Sequence, residues 1–62
     1  MQTTYHKDFT ITFWDAYRMC WTRMNAENIS PNLLDTMTEA ERKRILEVRR
    51  AQRIVATASA RH

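Results

Sequence analysis

Sixty-two residues make at most one small domain, and a formal net charge of +3 leaves that domain mildly basic. A single cysteine excludes an intrachain disulfide. With no glycine and one proline, the composition argues against phosphate-binding loops and tight hairpins and for helices with short connections. No apolar run approaches the length of a membrane span.

Residues 1–7 have no helical periodicity and are expected to fray. Their polar character offers no apolar core for a signal peptide, so none is expected. The stretch Phe9–Met24, FTITFWDAYRMCWTRM, then gathers five of the six aromatic residues, namely Phe9, Phe13, Trp14, Tyr17 and Trp21. Thr10-Ile11-Thr12-Phe13 alternates polar and apolar as a strand does. No partner strand is evident, however, and an isolated strand is not viable. The helical reading is therefore preferred. At 100° per residue, Phe9, Phe13, Ala16, Tyr17, Cys20 and Met24 fall together, and Trp14 with Trp21 widens the arc to roughly 160°. This predicts a first helix over 8–25 with Asp8 as its cap. Thr12 with Asp15 three residues later is a rival start.

One partner helix needs an apolar stripe of only about 100°. The excess predicts a second neighbour, supplied by another chain. The expected dimer or partner interface comprises Phe13, Trp14, Tyr17, Cys20 and Trp21. Cys20 is expected inside as a small hydrophobe, which suits a reducing cytoplasm.

Residues 26–37 read as a connection. Ser30-Pro31 looks like a cap followed by a first-turn proline, giving a short helical turn over 31–36. Leu33, Leu34 and Met37 would close the end of a hairpin. Thr38-Glu39-Ala40-Glu41 matches a capping box and opens a second helix over 38–60. Its apolar side, Ile45, Val48, Ala51, Ile54, Val55 and Ala58, is small enough to lie against an aromatic surface. The expected fold is all-α: an antiparallel helical hairpin that dimerises into a four-helix arrangement.

Residues 32–62 carry seven basic and four acidic side chains, which accounts for the whole net charge. On the wheel of the second helix, Arg42, Lys43, Arg49, Arg50 and Arg53 span roughly 120°. This is either a solvated face, a phosphate-contacting stripe or a surface for an acidic protein. No Asn or Gln stands among these basic residues to read base edges, apart from Gln52 on the other side of the helix, and no exposed aromatic is expected for stacking single-stranded bases. Any nucleic-acid contact would follow the backbone with little sequence preference.

Catalytic chemistry is not expected. His6 and His62 lie at opposite ends and make no zinc spacing with Cys20. Asp15 and Glu27 have no arrangement suited to acid–base work, and no nucleophile motif is present. No cofactor or metal is expected. The preferred function is a small regulatory adaptor that binds protein. The alternative is non-specific nucleic-acid binding through the basic face of the second helix.

The order of a short polar start, FWDAYRMCW, SPNLLDTMTEAERKR and a basic helix with an alanine-rich tail resembles the small early proteins of lambda-like bacteriophages. Those proteins come from the interval between the exonuclease and excisionase genes. Phe13-Trp14-Asp15-Ala16-Tyr17-Arg18 carries most of the likeness. The resemblance implies a host cytoplasmic setting and a non-catalytic role in phage development through host or phage partners. It transfers no binding residue to this chain.

Overall fold

A computed structural model describes residues 2–59. In chain order it contains β1 (Thr4–Tyr5), β2 (Thr10–Asp15), β3 (Cys20–Asn25), a 3-10 turn (Ala26–Asn28), α1 (Pro31–Asp35) and α2 (Glu39–Ser59). The strands form one sheet in the order β1-β2-β3, with both pairs antiparallel. The protein is therefore α+β. This overturns the expected all-α hairpin, and with it the four-helix arrangement.

The stretch read as a helix over 8–25 is a β-hairpin, and part of the expected frayed start pairs with it as β1. The alternation in Thr10-Ile11-Thr12-Phe13 is the dominant signal. Ile11, Phe13 and Asp15 turn to the buried face, while Trp14 turns outward. The partner strand escapes notice because β3, CWTRMN, has no clean alternation. It lies at the sheet edge, where only Thr22, Met24 and Asn25 are half-buried.

The hairpin turns form without glycine. Met19 adopts φ 56° and Phe9 φ 67°, a left-handed geometry that costs a non-glycine residue about 1–2 kcal/mol. Aspartate side chains compensate. Asp15 Oδ1 accepts the N–H groups of Tyr17 at 2.9 Å and Arg18 at 3.0 Å. The Met19 N–H donates to the Asp15 carbonyl at 2.7 Å. In the first turn, Asp8 Oδ1 accepts the Thr10 N–H at 3.1 Å. Asx-type turns thus replace the backbone freedom that the composition lacks.

Local capping sets the helical segments. Ser30 Oγ accepts the Leu33 N–H at 3.3 Å, and Pro31 occupies the first turn of α1. At α2, Thr38 Oγ1 accepts the Glu41 N–H at 3.2 Å while Glu41 Oε1 accepts the Thr38 N–H at 3.0 Å. This reciprocal pair is a closed capping box.

The core lies between one face of the sheet and the first half of α2. It contains Ile11 and Phe13 from β2, Ala26 and Ile29 from the connection, Leu33, Met37, and Ile45 from α2. Tyr5, Met24, Leu34 and Val48 flank it. At 1.5 Å per residue, α2 is about 31 Å long, and its second half outruns the sheet. Accordingly Ile54 and Val55 are 62% and 50% exposed, and the molecule measures 43 × 18 × 17 Å. No helix among the described residues is long and apolar enough to cross a membrane.

Candidate interaction surface

With α2 on one side of a three-stranded sheet, the other side is open. Residues paired across antiparallel strands share a face. The open face is therefore built from Trp14 opposite Trp21, Thr12 opposite Arg23, and Thr10 opposite Asn25. The two indoles meet edge to face, 5.7 Å apart at 70°. Even so, Trp14 remains 43% and Trp21 38% exposed.

A polar network continues from this pair towards the first turn. Arg23 Nε donates to Thr10 Oγ1 at 2.9 Å, and a second guanidinium nitrogen reaches Asp8 Oδ2 at 3.1 Å. His6 Nε2 lies 2.7 Å from Thr12 Oγ1. The Thr10 hydrogen bonds, helped by Arg23, hold the Asp8 carboxyl below its usual range.

The tryptophans share a surface cleft with Gln2, Thr3, Tyr5 and Glu41. The Thr3 hydroxyl donates to Glu41 Oε2, and this bond, then Thr38, keeps the Glu41 carboxyl ionised below its ordinary value. Burial, then the Glu41 charge, pushes the Tyr5 phenol up. Arg44 covers the Tyr5 ring from 5.0 Å.

The expected interface residues separate in this geometry. Phe13 is a core residue, 1% exposed, whereas Trp14, Tyr17 and Trp21 are exposed. Cys20, expected inside, is exposed. The helical wheel merges neighbours that a strand sends to opposite faces. Met19, which the helical wheel sets among the polar residues opposite the aromatic arc, is 69% exposed in the second turn. The expectation that no exposed aromatic is available to stack bases also fails, since both tryptophans are exposed.

The basic residues of α2 divide between those bound within the chain and those left free of such contacts among the described residues. Arg42 donates to the Met37 carbonyl at 2.9 Å. Arg49 donates to the carbonyls of Ala26 and Ile29. Arg53 pairs with both Glu27 oxygens at 2.9 and 3.1 Å, which raises its pKa. Lys43 and Arg50 stand exposed on α2. Among the described residues, no group of three or more His, Cys, Asp or Glu side chains could hold a metal ion. His62 lies outside the described residues.

Comparison with known proteins returns no match: no family model, no curated protein and no solved structure is similar to this chain.

Proposed function

We propose that this protein is a small non-catalytic adaptor that binds another protein through its open sheet face, with Trp14 and Trp21 as anchors. The observation that carries this reading is the tryptophan pair itself: two large indoles, more than a third exposed, on a sheet face that no element among the described residues covers. Tryptophan is enriched among the residues that dominate binding energy at protein interfaces. Neighbouring Arg23, Thr12 and His6 supply the polar rim such an interface needs.

The nucleic-acid alternative has weaker support. A single-strand site needs stacking aromatics beside a cationic groove. Here the charge in the tryptophan cleft is the Glu41 carboxylate, which repels phosphate. Arg42, Arg49 and Arg53 are engaged with acceptors of the chain itself. The resemblance to early proteins of lambda-like phages supports a regulatory role in a host cytoplasm.

The test is capture of partners from host lysate, with and without nuclease, using Trp14→Thr, Trp21→Thr and Lys43→Glu/Arg50→Glu variants whose circular dichroism is native. The adaptor reading expects a nuclease-resistant protein partner that is lost with either tryptophan and kept with the charge reversals. Sub-micromolar DNA binding at physiological salt, abolished by the charge reversals, would replace it with the alternative.

A further inference from the structure

We infer that the free edge of β3 pairs antiparallel with the β3 edge of a second copy of this chain, centred on Thr22, so that two three-stranded sheets become one. The inference stands on the backbone geometry of the β3 edge and goes beyond the adaptor reading, which concerns the side chains of the open sheet face.

The first observation is the direction of the backbone groups. The β2–β3 register runs unbroken from Asp15 opposite Cys20 to Thr10 opposite Asn25. It continues to Phe9 and Ala26, where the Ala26 N–H donates to the Phe9 carbonyl at 2.9 Å. In an antiparallel ladder, hydrogen-bonded and non-hydrogen-bonded pairs alternate. Cys20, Thr22 and Met24 therefore turn their N–H and C=O groups towards β2. Trp21, Arg23 and Asn25 turn theirs outward. Among the described residues, no strand lies beyond β3 to receive them.

The second observation is that β3 carries none of the sequence devices that guard an edge. Natural sheets protect such edges with prolines, bulges, very short strands or a covering element. The other edge, β1, is two residues long. β3 is six residues long, contains no proline, and its continuous register leaves no room for a bulge. Its charged residue, Arg23, is drawn onto the sheet face by Asp8 and Thr10.

The third observation is self-complementarity. For the helix-covered faces of two copies to join, odd residues must oppose odd and even oppose even. The twofold axis can then fall on Trp21, Thr22 or Arg23. An axis on Arg23 sets two like charges directly opposite, which destabilises. An axis on Trp21 leaves little overlap, because the strand begins at Cys20. An axis on Thr22 pairs Cys20 with Met24 and Trp21 with Arg23, from each copy to the other. Each Trp21–Arg23 pair is a hydrogen-bonded one, since both residues turn their backbone groups outward. A small domain without a disulfide gains from such reinforcement.

The test exploits the axis. At a non-hydrogen-bonded antiparallel pair, opposing Cα atoms lie about 4.5 Å apart, within disulfide range. In a Cys20→Ser background, Thr22→Cys should link into a covalent dimer under mild oxidation, while Thr57→Cys on the projecting end of α2 should not. Wild-type protein should sediment at twice 7.4 kDa at micromolar concentration. A chemically made chain with an N-methyl group on Trp21 should sediment as a monomer with native circular dichroism. A 7.4 kDa wild-type species at all concentrations, or equal cross-linking at Thr22 and Thr57, would overturn the inference. So would an N-methyl chain that still dimerises.

Discussion

Arg49 Nε lies 2.8 Å from the carbonyl oxygen of Ala26, twenty-three residues earlier in the chain. A second guanidinium nitrogen of Arg49 donates to Ile29. One side chain of α2 thus clasps both ends of the 3-10 turn that leads from the sheet to α1. Ala26 and Ile29 are fully buried, so their carbonyls have little water to turn to. The fork geometry of arginine suits two acceptors at once, which a lysine ammonium does not match.

Arg49→Met should therefore destabilise the fold by about 2–4 kcal/mol, because hydrogen bonds from a charged donor contribute about 1.5–3 kcal/mol each and losses at one site overlap. Arg49→Lys should recover only part of that loss. Urea unfolding followed by circular dichroism measures both. Midpoints equal to wild type would remove Arg49 from the account of how the sheet and α2 are joined.

The second hairpin turn offers a stabilising change. Met19 pays for its left-handed backbone, whereas glycine adopts it freely. Met19→Gly should raise stability by about 0.5–1 kcal/mol after the greater freedom of the unfolded chain is subtracted. Met19→Val should lower it, since a β-branched residue fits positive φ worst. The order Gly above Met above Val in thermal midpoint is the expected result.

Acid should weaken the fold through Asp8 and Glu41. Hydrogen bonds hold both carboxyls below their ordinary values of 3.8 and 4.5. A depressed folded pKa means that the stabilisation is complete above the unfolded value and disappears as pH falls through the folded one. Stability should thus be level down to about pH 4.5 and decline below it. Glu41→Gln should flatten that decline while lowering stability at neutral pH. A pH series of melting temperatures on both proteins checks the sign, and parallel acid limbs would refute it.

The two halves of α2 should respond differently to truncation. Ile45 is fully buried, whereas Ile54 is 62% exposed. Ile45→Ala should cost about 2–5 kcal/mol, and Ile54→Ala should stay within about 0.5 kcal/mol. Matched denaturant curves decide it. Comparable losses at both positions would mean that the far half of α2 is covered in solution.

The helical part of the chain was legible because its signals are local. Thr38 and Glu41 close their capping box over three residues, and Ser30 with Pro31 opens α1 within one turn. No distant residue is needed to form either. The exposed tryptophans were legible as an unusual aromatic surface, but not as a pair. Trp14 and Trp21 meet only because a turn at residues 16–19 folds β3 back onto β2.

The order of residues alone sets the second helix, its caps and the concentration of aromatic residues in the first half of the chain. Whether that first half became helix or sheet was decided by tertiary structure. Phe9–Met24 satisfies a helical wheel and, in part, a strand alternation. Strand pairing wins through contacts beyond the reach of a helical turn, including Ile11 with Met24 and Phe13 with Thr22. Those contacts exist only once the chain has turned. The turns depend on Asp8 and Asp15 holding backbone groups that glycine would ordinarily free. The same nonlocal step decided which aromatics face water, since the period of two sends Phe13 into the core and Trp14 out of it.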